Sequence, residues 1–169
     1  MTDNYIVIDG KEYVLTERQT AIIKESLALA RNNPFERVRP GRLYYMPSMD
    51  GNVTQLCDNE STSDDNIYAA CNAFNDKAFA ERVALSQLLY RSLLKFAYDN
   101  KLEDAAPLCG PDAHDRYFVM FVRTGPTVGC MAASEIPCTV YFSTKDGAQR
   151  AIDEVVRPFL KAHPEVIGH

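Results

Sequence analysis

The chain has 169 residues, a net charge of −5 and a pI of about 5.2, with 46% apolar and 24% charged residues. This composition predicts a folded protein and excludes global disorder, and the acidic balance excludes a chain-wide basic surface for nucleic-acid phosphates. No apolar run is long enough to cross a bilayer, and the first residues lack the basic lead and apolar core of a secretory signal. We therefore expect a cytoplasmic protein whose five cysteines are free thiols.

Residues 1–33 predict a small ββα unit at the N-terminus. Two alternating segments, Tyr5–Ile8 and Glu12–Leu15, flank an Asp-Gly pair, which is a strong hairpin signal. Thr16 and Gln19 have the spacing of a capping box, in which each side chain accepts a hydrogen bond from the other residue's backbone N–H. The next helix is therefore predicted to run from Thr16 to about Asn32, where an Asn-Pro pair ends it.

The connector that follows carries the only dense basic run of the chain: Arg37, Arg39 and Arg42. The first interpretation is a solvated linker, and the second is a contact for an anion or for nucleic acid. Three arginines without a recognisable stacking platform for bases are weak support for the second interpretation.

Residues 34–100 predict a βββα unit. Its strands are expected at Leu43–Met46, Val53–Leu56 and Ile67–Phe74. The polar and acidic segment Cys57–Asp65 is expected to be a loop between the second and third strands. The longest helical pattern, Asn75–Asn100, contains no Pro or Gly and offers Asn75 or Asp76 as its N-cap. Its wide apolar arc predicts the helix against which the rest of the chain packs.

Residues 101–169 predict a second βββα-like unit. A surface connection over Lys101–Asp115 leads to strands expected at Tyr117–Val122, Val128–Ala133 and Thr139–Phe142. Ser143 or Thr144 then caps a helix in which Pro158 should produce a kink or an end near Arg157. The predicted fold class is α+β: two βββα-like units with antiparallel sheets around a long central helix, preceded by the ββα unit, forming one compact domain overall.

The second and third units resemble a degenerate internal repeat. Four residues of the first recur 68 positions later at a predicted strand-to-helix transition: Phe74, Lys77, Ala80 and Arg82 match Phe142, Lys145, Ala148 and Arg150. Shared architecture is one interpretation of these matches, and chance agreement of four residues in twelve positions is the other.

Sequence motifs for chemistry are scarce. No Cys or His pair has the short spacing of a zinc site, and no glycine-rich phosphate loop occurs, so we expect no metal and no cofactor. The nearest approach to a nucleophile is Cys109, with His114 five residues later and Asp112 and Asp115 beside it. The other cysteines in apolar runs, Cys71, Cys130 and Cys138, are interpreted as small core residues. We predict no catalytic residues and no enzyme.

Three stretches together resemble a diffuse group of small proteins from phages and prophages of gut-type bacteria. They are Asn33–Tyr45, then Asn75–Lys77 with Arg82–Leu85 and Leu93–Phe96, then Val140–Lys145 with Arg157–Glu165. The resemblance covers most of the chain from Asn33 onward, whereas Lys101–Asp115 matches nothing in that group. It implies a non-enzymatic accessory protein in a bacterial host cell that binds and inhibits a host or defence protein, such as a CRISPR nuclease.

The resemblance makes a protein the expected partner and leaves self-association open, with no membrane or nucleic-acid partner expected. An acidic surface that imitates nucleic acid would suit such an inhibitor, and its candidate residues are Asp58, Glu60, Asp64 and Asp65. Two alternatives stay open. One is a nucleic-acid-binding accessory protein that uses the three arginines of the connector, and the other is a small enzyme with its thiol at Cys109.

Overall fold

The computed structural model describes residues 5–8, 11–29, 33–103, 115–132 and 136–166. The chain divides into two units, Met1–Glu36 and Arg37–His169. Mixed helices and antiparallel sheets confirm the α+β class, whereas the finer division into repeated units stays a prediction. Within the described ranges, no helix is both long enough and apolar enough to cross a membrane.

The first unit is a hairpin followed by a helix. Strands β1 (Tyr5–Ile8) and β2 (Lys11–Val14) pair in antiparallel register, as the alternation predicts. Helix α1 (Glu17–Leu29) follows the predicted capping box, in which the Thr16 N–H donates to Gln19 Oε1 at 3.0 Å and the Gln19 N–H donates to Thr16 Oγ1 at 3.3 Å. The predicted helix end near residue 32 lies outside the described residues.

The second unit opens with the predicted hairpin. Strands β3 (Leu43–Pro47) and β4 (Val53–Cys57) pair in antiparallel register, each one residue longer than predicted. Their connection turns at Gly51, which has a φ of +87°. A Cβ at this position would lie 2.7 Å from Leu88 Cδ2, so only glycine allows the turn to approach the central helix this closely.

The structure corrects the predictions of a loop at Cys57–Asp65 and a strand at Ile67–Phe74. Helix α2 (Thr62–Ala69) begins inside the predicted loop and extends into the predicted strand, of which only Phe74 pairs with a strand, through a bridge to Tyr45. The helix begins here because Ser61 and Asp64 form a capping box inside the acidic run. Acidic side chains in a first turn also interact favourably with the helix dipole, so the run that suggested a loop instead stabilises a helix start.

The long helix is confirmed as α3 (Lys77–Asp99), with Asp76 as the N-cap that accepts a 2.9 Å hydrogen bond from the Phe79 N–H. One stripe of the helix is buried along its length: Ala80, Ala84, Leu85, Leu89, Leu93 and Ala97. Leu89, Leu93 and Ala97 of this stripe join a core cluster of the second unit, together with Val140, Phe142 and Val156.

The second sheet has the strand order β6-β5-β7 and is antiparallel throughout. Strand β5 (Arg116–Val122) is one residue longer than predicted. Strand β6 (Gly125–Met131) starts three residues before the predicted start and ends two residues before the predicted end. Strand β7 contains only Tyr141–Phe142, two residues fewer than predicted, and the chain turns shortly before it at Cys138, whose φ is +59°.

The last helical segment changes its winding partway. Helix α4 (Lys145–Ala151) is capped by Thr144, a π turn covers Ile152–Val156, and helix α5 (Arg157–Ala162) continues from it. Pro158 therefore does not end the helix. In a regular α-helix, the ring of Pro158 would clash with the carbonyl group four residues earlier. The π turn before Pro158 is wider than an α-helical turn, so it shifts that carbonyl group relative to the ring.

The two halves of the second unit share an arrangement. In each, the first strand of the hairpin also pairs with a short segment before a helix: Tyr45 with Phe74, and Tyr117 with Phe142. Phe74 and Phe142 are 2% and 0% exposed, and a capping side chain follows each after two residues. A common origin of the two halves stays a prediction.

Candidate functional site

Arg37 connects the residues of both predicted binding surfaces. Its guanidinium donates to both carboxylate oxygens of Asp58, at 2.7 Å from Nε and 2.8 Å from Nη2, and to Asp65 Oδ1 at 2.6 Å from Nη1. The guanidinium carbon also lies 4.9 Å from the centre of the Tyr68 ring. The hydrogen bonds from Arg37 lower the pKa of Asp58 below its ordinary value. Such a bidentate pair gives an arginine a fixed geometry that a lysine cannot reproduce.

Asp64 is the second internal carboxylate of this region. It accepts hydrogen bonds from the Ser61 hydroxyl at 2.7 Å, from the Tyr44 hydroxyl at 2.9 Å and from the Asn59 N–H at 3.1 Å. These donors, Ser61 first, lower the pKa of Asp64 to about 2, while burial raises the pKa of Tyr44 to about 12. The carboxylate therefore connects α2 to β3 from inside the fold.

These contacts correct the predicted acidic surface. Asp58 and Asp64 are 0% and 6% exposed, so they cannot meet a partner while the second unit is folded. Glu60 and Asp65 are exposed, and a role for them in binding stays a prediction.

The arginine run is likewise divided. Arg37 binds Asp58 and Asp65 although its own side chain is 38% exposed, and Arg39 and Arg42 are exposed as well. Three of the acidic and basic candidates thus form one structural network, which connects the start of the second unit to the end of β4 and to α2. We name Arg37, Asp58 and Asp65 the carboxylate network; Asp64 makes its own set of hydrogen bonds to Ser61, Tyr44 and Asn59.

A different surface of the second unit has the chemistry of a binding site. Tyr90, Leu94 and Tyr98 lie four residues apart along α3, hence on one face of the helix, and are 38%, 36% and 62% exposed. We name these three residues the α3 stripe. Large apolar side chains that line up in this way mark interaction surfaces more often than isolated ones do.

The α3 stripe borders an apolar groove of about 360 Å³ between α3 and β5. Residues of the helix, of β5 and of the segment before β7 line the groove: Leu89, Tyr90, Leu93, Val119, Phe121 and Val140. Phe121 is itself exposed at the rim. The groove and the stripe therefore form one apolar region, with two tyrosine hydroxyls available for hydrogen bonds at its surface.

A smaller hollow of about 140 Å³ adjoins the other end of the stripe, where Leu94 and Tyr98 meet Glu103 and Arg116. Arg116 is buried, and its guanidinium carbon lies 5.0 Å from the centre of the Tyr141 ring. The Tyr141 hydroxyl in turn accepts a 2.7 Å hydrogen bond from the Ile136 N–H. The apolar region thus ends beside charged and aromatic groups held in defined positions.

The predicted thiol site cannot be placed, because Cys109, His114 and Asp112 lie outside the described residues. The prediction that the three other cysteines are core residues is wrong: Cys71, Cys130 and Cys138 are exposed. Two of them have left-handed backbone conformations, with φ of +53° at Cys71 and +59° at Cys138, so they belong to turns. In the part of the chain that the structure describes, no group of three His, Cys, Asp or Glu side chains could hold a metal ion.

Comparison with known proteins returned no match: no family model, no curated protein and no solved structure is similar to this chain. The arguments for its function therefore come from its own surface.

Sequence analysis missed the α3 stripe, although its signal is visible. Tyr90, Leu94 and Tyr98 recur at intervals of four residues, offset from the small and aliphatic residues that form the buried stripe. We interpreted the whole wide arc of this helix as buried. Two of these three residues are tyrosines, which combine an apolar ring with a hydroxyl that can contact water. This composition could have indicated an exposed apolar surface.

Proposed function

We propose that this chain is a non-enzymatic phage or prophage accessory protein that binds and inhibits a host or defence protein. The α3 stripe beside the apolar groove is the observation that carries this proposal. A protein partner would bury Tyr90, Leu94 and Tyr98 and would fill the apolar groove between α3 and β5. The residues that dominate binding energy at protein interfaces are often aromatic and lie around a central pocket.

The proposed partner is a nuclease of the CRISPR type or another defence protein with a basic surface. The net charge of −5 favours association with a basic partner, because complementary charge accelerates encounter and orients the complex. The choice of a defence protein is taken from the resemblance noted in the sequence, whereas the surface itself supports only a protein partner. The apolar region supplies the affinity in this proposal, and the exposed acids Glu60 and Asp65 contribute at most to steering.

The first experiment compares capture of host and defence proteins by the wild-type chain and by a Leu94→Asp variant. We expect the wild-type chain to retain one defence protein and to inhibit its activity when both are purified. Tyr98→Ala should weaken the binding of that protein by about thirtyfold, the effect of losing roughly 2 kcal/mol at an anchor residue. Met49→Ala, which truncates an exposed apolar side chain outside the stripe, is the matched control and should leave binding unchanged.

A second arm separates the apolar surface from the acidic one. The double variant Glu60→Gln, Asp65→Asn removes the two exposed carboxylates and should slow association only slightly. Abolished capture in this variant, with capture retained in Leu94→Asp, would contradict the choice of surface. Absence of any inhibited partner for the wild-type chain would contradict the function itself.

The nucleic-acid alternative now depends on Arg39 and Arg42, because Arg37 is engaged by carboxylates. Salt-dependent retention of DNA or RNA that disappears in an Arg39→Gln, Arg42→Gln variant would favour it. The thiol-enzyme alternative would be favoured by selective alkylation of Cys109 at neutral pH together with loss of an activity.

A further inference from the structure

The last described turn of the second unit, Pro164–Val166, follows helix α5 and reaches the apolar groove between α3 and β5. We infer that this turn is a strap, which covers part of the groove and must move before a partner can fill it. The inference concerns the regulation of the surface to which binding is assigned above, so it rests on the proposed function.

The strap lies beside two hollows of the second unit. Val166 is half-buried and lines the apolar groove of about 360 Å³ together with Tyr90 and Phe121. His163, the residue before the strap, and Glu165 line a second hollow of about 440 Å³ between α3 and the turn that joins β3 to β4. These side chains therefore border open space and not a close-packed interior, which leaves room for the strap to move.

The polar and ring contacts described for the strap are local. The Val166 N–H donates to the His163 C=O at 3.2 Å, and the His163 N–H donates to the Phe159 C=O at 2.8 Å. The centres of the His163 and Phe159 rings are 4.7 Å apart, and His163 Nδ1 lies 3.5 Å from Glu165 Oε1. All of these contacts join residues within 159–166, so the strap can leave α3 without breaking them.

Val166 is the side chain that anchors the strap on the groove. Pro164 and Glu165 are exposed, so lifting the strap exposes little apolar surface besides that of Val166. Segments with few buried apolar contacts open locally at a small cost in free energy. A partner that inserts larger side chains between Tyr90 and Phe121 would gain more apolar contact than the single valine loses. The apparent affinity of the groove is then its intrinsic affinity multiplied by the fraction of molecules whose strap is open.

The test is the affinity of the full-length chain for N-phenyl-1-naphthylamine, an uncharged apolar dye that fluoresces when it leaves water. Pro164→Gly removes the fixed backbone angle that favours the turn, and Pro164 lies outside the residues that line the groove. We expect this variant to bind the dye about two- to fivefold more tightly, because its strap is open in more molecules. Pro40→Gly makes the same change in another exposed turn, and as the matched control it should leave the affinity unchanged.

His163→Ala provides a second variant for the case in which Pro164→Gly prevents folding. It removes the ring contact with Phe159 and the contact with Glu165, so it should also tighten dye binding. Ser86 is exposed and lines the groove, so Ser86→Trp places an indole ring where the dye would bind. Combined with either variant, Ser86→Trp should abolish the gain in affinity. A gain that survives this change would come from another surface and would overturn the inference.

An unchanged or weaker dye affinity in both Pro164→Gly and His163→Ala would also overturn the inference, because Val166 would then be a fixed wall of the groove. With a captured defence protein, Pro164→Gly should tighten binding by the same factor as it tightens dye binding. Tighter dye binding with unchanged partner binding would overturn the regulatory role of the strap. The dye titration needs no partner, so the absence of an inhibited protein would contradict the proposed function and leave the dye result unaffected.

Discussion

At the scale of single residues, the carboxylate network illustrates how position determines the role of a charge. Asp58 and Asp65 are far from Arg37 in sequence, yet one guanidinium holds both. A buried carboxylate without its partner is costly, whereas exposed ion pairs contribute little, so removal of Arg37 should affect stability mainly through Asp58.

We therefore predict that Arg37→Gln lowers the urea midpoint of the second unit, because it leaves the fully buried Asp58 without its guanidinium. Arg39→Gln changes the same residue type two positions later, where the side chain is exposed, and should leave the midpoint unchanged. Equal midpoints for the two variants would show that the network does not stabilise the fold. Chemical unfolding monitored by circular dichroism makes the comparison.

Asp64 makes the stability of the same unit dependent on pH in the acidic range. Folding lowers the pKa of this carboxyl to about 2, so the folded state binds fewer protons than the unfolded chain. The resulting stabilisation is fully present above the unfolded pKa of about 4 and is lost as pH falls through about 2. Asp58, whose pKa is also lowered, adds to the loss in the same direction.

We predict that Asp64→Asn reduces this acid dependence, because the amide keeps the shape of the side chain and does not titrate. Urea midpoints measured between neutral pH and pH of about 2 should fall less steeply in the variant than in the wild-type chain. Parallel curves for the two proteins would contradict the role assigned to Asp64.

At the scale of secondary-structure elements, several local signals were interpreted correctly, whereas one capping box and the long-range pairings were missed. The Asp-Gly hairpin, the Thr16–Gln19 capping box and the Asp76 cap depend on neighbours in sequence, so they could be predicted. Helix α2 was missed because its cap, Ser61 with Asp64, lies within an acidic run that resembles a loop. The pairing of Arg37 with Asp58 could not be predicted, since it requires the fold that brings the two residues together.

Strand β6 contains a close contact that no local pattern reveals. A Cβ at Gly129 would lie 2.6 Å from Cζ of Phe118, which covers it from the neighbouring strand. We predict that Gly129→Ala destabilises the second unit by about 1–3 kcal/mol, the usual range for overpacking. In a Phe118→Leu background the same change should cost less, because the ring no longer covers the position. Additive effects in this double-mutant cycle would contradict the contact.

At the scale of the whole molecule, the chain combines a unit without described buried side chains and a unit with many buried apolar side chains. The core depends on α3, whose buried stripe contacts both halves of the second unit. The exposed stripe of the same helix carries the proposed binding surface. Sequence analysis predicted the helix and its central position, whereas the division of its surface into two stripes required coordinates.

The matched positions of the two halves predict matched energetic roles. Phe74→Ala and Phe142→Ala should each destabilise the second unit by about 3–5 kcal/mol, because both rings are buried beside the start of a capped helix. Phe121→Ala, at the exposed rim of the groove, should cost much less and is the matched control. A small effect at one of the two buried positions, measured by denaturant unfolding, would contradict their equivalence.

The π turn at Ile152–Val156 affects how the ancestry of the two halves could be traced. A π turn closes its hydrogen bonds over five residues, so it holds one residue more than an α-helical turn at the same place. If the halves descend from one duplicated gene segment, their residues correspond at a constant interval only up to this turn. Beyond it the interval changes by one, so an ungapped alignment would lose the relationship at Ile152 even though the helix continues to Ala162.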